Sequence, residues 1–73
     1  MHRYTITFVG QAGYSPNMNW LAAKVQNCLG QEVKRQGNSV YAEFLTMKSV
    51  EEAVQASADL IGHDSGDFQV TES

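Results

Sequence analysis

In the stretch RYTITFV, residues 3–9, the bulky side chains Tyr4, Ile6 and Phe8 occupy every second position, and Thr5 and Thr7 fill the places between. Side chains of an extended chain alternate between two faces. A period of two in β-favouring residues therefore predicts a strand with one apolar face and one hydroxyl face. Further along, Met18, Leu21, Ala22, Val25, Cys28 and Leu29 recur at spacings of three and four. That spacing predicts a helix with one apolar stripe, on which Cys28 is expected to act as a small buried hydrophobe. The preceding GQAGYSP carries turn chemistry, with Ser15 as helix cap and Pro16 in the first helical position, or Asn17 or Asn19 as the cap instead. Gly30 is the expected stop.

The next segment, QEVKRQ, has Val33 as its one apolar residue and reads as a charged edge strand. Gly37-Asn38 suits a two-residue hairpin of type II′, with glycine first. A third strand is expected from Ser39 to about Met47. SVEE, residues 49–52, has the form of a capping box and predicts that a second helix starts there. Its expected stripe is Val50, Ala53, Val54, Ser57, Leu60 and Ile61, with Gly62 as its end. HDSGD is turn chemistry, and DFQVT predicts a last strand with Phe68 and Val70 inward. The order β-α-β-β-α-β predicts an α+β chain of the ferredoxin-like kind, a single domain over residues 1–73 with two helices packed on one face of a four-stranded antiparallel sheet. Such an arrangement serves many functions, so function has to come from particular residues.

With 42% hydrophobic and 18% charged residues among 73, the composition is that of a folding chain and not of a disordered one. Eight acidic residues against five Lys and Arg leave a net charge of −3, which opposes the counterion release that drives nucleic-acid binding. A single cysteine cannot form an internal disulfide, so a reducing, cytoplasmic location is expected. No apolar run approaches the roughly 20 residues of a spanning helix, and no membrane partner is expected.

The segments VYAEFLTMKSVEEAVQA and FVG resemble the RNA-recognition-motif family in their strand-and-helix cadence. The resemblance implies an open sheet face on which aromatics of strands one and three stack bases while basic residues hold phosphates. Alternation opposes that role. In strand three Val40, Ala42 and Phe44 form the apolar set, which leaves Ser39, Tyr41 and Glu43 on the open side, and turning Tyr4, Ile6 and Phe8 inward leaves Thr5 and Thr7 outward. Tyr41 is then the one stacking platform. Ser39 stands where the family pattern has a second aromatic, and Gly37-Asn38 where it has a basic residue and glycine. Nucleic-acid binding through Lys34, Arg35 and Tyr41 is accordingly the second expectation. The chain is also similar to histidine phosphocarriers in the spacing from Gly13 to the helix, but GYS stands where their active histidine falls. Acylphosphatases need an arginine cradle after the first strand, and GQAGYSPNMN has no arginine.

His2, His63, Asp64 and Asp67 are a further alternative, a weak metal site at the His63 turn, although their spacing follows no ligand motif and no metal ligand is assigned. No nucleophile-base or paired-carboxylate arrangement is legible, so neither an enzyme nor a cofactor is expected. The leading expectation is a small protein-binding domain, of the sort found as a bacterial or phage accessory protein, acting as inhibitor, adaptor or homodimer. Trp20 lies on the side of the first helix opposite its apolar stripe, beside Tyr14 in the preceding loop. Left near solvent, a large aromatic of this kind anchors interfaces, whereas folded over the rim of the sheet it covers the top of a small core, and the sequence leaves both placements open. Met47 and Lys48, expected in a turn at the same end of the sheet as both helix starts, join Tyr14, Asn17 and Trp20 as the expected binding surface.

Overall fold

The structure, a computed structural model, describes residues 1–10 and 17–72. The elements are β1 (His2–Phe8), α1 (Met18–Leu29), β2 (Lys34–Gln36), β3 (Ser39–Phe44), α2 (Met47–Leu60), a short 3-10 turn (Ser65–Asp67) and β4 (Phe68–Glu72). The four strands form one antiparallel sheet in the order β2-β3-β1-β4. The expected alternation holds in β1, where Tyr4 and Ile6 are buried and Thr5 and Thr7 lie partly exposed between them. β3 repeats it with Val40 and Ala42 buried. Register joins the two patterns: Tyr4 pairs with Ala42 and Ile6 with Val40, so the inward residues of both strands share one face. Tyr4, Ile6 and Val40 form one core cluster with Met18, Leu21 and Val25 of α1, Val50, Val54 and Ala58 of α2, and Phe68 of β4.

Local chemistry sets the ends. Asn17, with extended backbone, caps α1, its side-chain oxygen accepting from the N–H groups of Asn19 at 3.0 Å and Trp20 at 3.3 Å. The expected Ser15 cap and Pro16 start lie outside the described residues. At the other end of α1, Gly30 takes a left-handed φ of 69°. α2 closes with Gly62 at φ 78°, where the N–H of His63 donates to the carbonyl of Ala58 at 2.8 Å and that of Gly62 to Asp59 at 3.2 Å. This reciprocal pair satisfies carbonyls that the helix itself leaves open. In the Gly37-Asn38 hairpin only the glycine has positive φ, as a type II′ turn requires.

Four expectations need correction. β2 begins at Lys34, because the chain from Gly30 to Val33 is still leaving α1, with the Val33 N–H donating to Gln26 Oε1 at 3.4 Å. β3 ends at Phe44 and α2 begins at Met47, capped by Thr46 rather than by Ser49. Thr46 Oγ1 accepts from the Ser49 N–H at 3.3 Å and its hydroxyl donates to Ser49 Oγ at 2.9 Å, so the serine lies inside the first turn. On α2 the stripe takes in Ala58, fully buried, and leaves Leu60 67% exposed. Cys28 is exposed, with Sγ 3.9 Å from Ser57 Oγ of α2. In both helices the residue in error lies at the flank of the stripe in the last turn, where helix tilt decides burial.

Candidate functional site

Met18, Leu21 and Val25 face the core, and a 3.6-residue period then turns position 20 the other way. The backbone of Trp20 is held by the Asn17 cap, yet its side chain stands 63% exposed. Asn17 itself spends its side-chain oxygen on the cap. Tyr14 lies outside the described residues. Met47 and Lys48 form the first turn of α2 and not a free turn, with Met47 packed against the core and Lys48 exposed.

The topology also separates the residues expected to share one surface. Phe44 pairs with His2, so the chain enters α2 from the end of the sheet where β1 starts. α1 follows the opposite end of β1, at Phe8. The two helices are therefore entered from opposite ends of the β1-β3 pair, contrary to the expectation of a common end. Trp20 with Asn17 is one feature, and Met47 with Lys48 another.

A second region lies on the sheet face away from the core. Register sets Lys34 opposite Tyr41 and Tyr41 opposite Thr5, so these three form one row across β2, β3 and β1. The next row pairs Arg3 with Glu43, their charged ends 3.5 Å apart and mostly in water, a geometry that contributes little stability. In the row above, Thr7 and Ser39 hydroxyls meet at 3.4 Å. An open hollow of about 800 Å³ borders this face, lined among others by Arg3, Lys34, Arg35, Tyr41 and Glu43. Three of the chain's five Lys and Arg thus gather there. Among the described residues Arg3 alone of the three is ion-paired, with Glu43. The structure brings Lys34 and Tyr41 together. Arg35 borders the same hollow, although its register partner Val40 faces the core. Arg3 is not among the residues that the sequence singles out, and its alternation with Thr5 and Thr7 is the signal that places it on the open face.

The aromatics that base stacking would need there are turned inward. Tyr4 is 2% exposed, and loss of solvent, followed by the nearby Glu72 carboxylate, raises its phenol pKa above the usual tyrosine value. Phe8 packs edge-on against Phe68 and His63, with ring centres 5.7 and 6.2 Å away. Gly10 permits this packing, since a Cβ at that position would lie 2.6 Å from the Phe8 ring.

The residues of the expected metal alternative are not gathered. His63 Nδ1 lies 3.8 Å from Asp67 Oδ2 at the Phe8 end of β1, while His2 pairs with Glu72 at 2.9 Å at its start. Those ends are separated by the length of a seven-residue strand, about 20 Å. Among the described residues no group of three His, Cys, Asp or Glu could hold a metal ion, and no helix is long and apolar enough to cross a membrane. No protein-family model, no curated protein and no solved structure matches the chain.

Proposed function

We propose that the chain is a small non-enzymatic domain that binds another protein through the exposed indole of Trp20 at the start of α1, as an inhibitor, adaptor or self-associating accessory protein. The observation that carries the proposal is the 63% exposure of Trp20 on a helix whose opposite face buries Met18, Leu21 and Val25 in the core. A large aromatic left in water on a rigid, capped helix turn loses little conformational freedom on binding, and such residues dominate interface energetics. The proposal includes a ferredoxin-like fold, supported by the antiparallel order β2-β3-β1-β4 with one helix following β1 and one following β3. It also includes a reducing, cytoplasmic setting, supported by the free, exposed Cys28.

A second reading is favoured by one observation, the hollow that Arg3, Lys34, Tyr41 and, from the edge, Arg35 border together with the acids Glu32 and Glu43, in a chain of net charge −3. This hollow would hold a single-stranded nucleic acid, with Tyr41 as its one stacking ring. The two readings separate in one experiment, in which wild type and Trp20→Ala are each used to recover partners from the source cell, with labelled single-stranded RNA titrated in parallel at low salt. The protein-binding proposal expects a specific partner retained by wild type and lost with Trp20→Ala, and no salt-sensitive RNA binding. Partner recovery indifferent to Trp20, together with RNA binding that weakens steeply with salt, overturns it in favour of the second reading.

A further inference from the structure

The two edges of the sheet differ in a way that makes them complementary. Sheet order leaves β2 and β4 at the edges, each with outward backbone groups of the kind that accept another strand. β2, Lys34–Gln36, is fully exposed, carries two cations and contains no acid. Arg35 pairs with the buried Val40, so alternation directs it to the core side of β2, while Lys34 and Gln36 belong to the open side. Beside β4, on that same core side, a groove of about 190 Å³ runs between the strand and α2. Val54, Phe68 and Val70 give the groove an apolar floor, and Glu51 and Gln55 supply its polar rim.

From this complementarity we infer that β2 of one copy adds to the β4 edge of a second copy, with Arg35 inserted into the groove between β4 and α2. The Arg35 stem then covers Val54, Phe68 and Val70 while its guanidinium meets the Glu51 carboxylate. On the other face Lys34 comes beside the polar β4 positions Gln69 and Thr71, which register aligns with Thr7 and Thr5. The charge pattern selects this pairing over the alternatives: β2 against β2 sets cations beside cations, and β4 against β4 leaves Glu51 without a partner. The contact is head-to-tail, so every added copy presents a fresh edge and assembly continues without two-fold closure. It is also independent of Trp20.

Charge exchange tests the inference. Arg35 and Glu51 are both exposed, and unchanged melting of each variant confirms that folding is retained. In sedimentation or light scattering at up to about 1 mM chain and low salt, wild type is expected to give a concentration-dependent ladder of oligomers that shrinks as salt screens the pair. Arg35→Glu alone and Glu51→Arg alone are each expected to be monomeric, because each loses one half of the contact. Their equimolar mixture is expected to recover the ladder as alternating copies, since each junction then joins a cation to an acid, and the double variant Arg35→Glu, Glu51→Arg to recover it alone. Trp20→Ala is expected to assemble as wild type does, which keeps this test apart from the partner-binding proposal. Wild type that stays monomeric, single variants that assemble as well as wild type, or loss of assembly in Trp20→Ala each overturns the inference.

Discussion

Adjacent residues of α1, Trp20 and Leu21, should respond oppositely to truncation. Trp20 is 63% exposed and Leu21 0% exposed, although both are large, apolar and held by the same helix turn. A fully covered tryptophan removes about 150–250 Å² from water. With about a third of Trp20 covered, roughly 50–90 Å² at about 25 cal/mol per Å² corresponds to ~1–2 kcal/mol as an upper bound. Residual burial in the unfolded chain lowers that figure, and alanine's better helix propensity offsets about another 0.5 kcal/mol. Trp20→Ala should therefore cost less than about 1 kcal/mol. Leu21→Ala leaves a cavity among Met18, Val25 and the sheet and should cost about 2–5 kcal/mol. For a domain of this size each kcal/mol shifts Tm by about 4–8 °C, so Leu21→Ala should lower it by at least about 8 °C and Trp20→Ala by only a few degrees. Urea unfolding followed by far-ultraviolet circular dichroism measures both. Equal losses in the two variants would refute the assignment of Trp20 to the surface and remove the basis of the proposed binding role.

Thr46→Ala should lower stability by about 1 kcal/mol, because it removes the α2 cap, whereas Ser49→Ala, inside the first turn, should cost less; urea midpoints of the two variants measured side by side decide between the caps. Because folding raises the Tyr4 phenol pKa, the unfolded chain ionises first as pH climbs, so the contribution of this group is fully present below about pH 10 and declines above it. Comparing urea midpoints near about pH 8 and about pH 11 should show a smaller alkaline loss in Tyr4→Phe than in wild type, and an identical loss in both would refute the link to Tyr4.

Strand alternation and helix periodicity were legible in the chain because both depend on neighbours two, three or four residues apart. Tyr4 and Ile6 inward, Thr5 and Thr7 outward, the stripe of Met18, Leu21 and Val25, and the left-handed glycines at 30, 37 and 62 all follow from such local rules. The side of α1 that carries Trp20 belongs with them, but its exposure does not: an indole there could equally fold over the rim of the sheet, and packing alone leaves it in water. Competing caps were harder: Thr46 and Ser49 are both good N-cap residues, and where β3 releases the chain at Phe44 decides between them. Cys28 and Leu60 lie at the flanks of their stripes, where burial depends on how each helix tilts against the other and against the sheet, a quantity with no local signature. Strand order and register likewise exist only between distant segments. They alone bring Lys34 opposite Tyr41, add Arg3 to the same hollow, send the two helices from opposite ends of the β1-β3 pair and leave a basic and a grooved edge on one sheet.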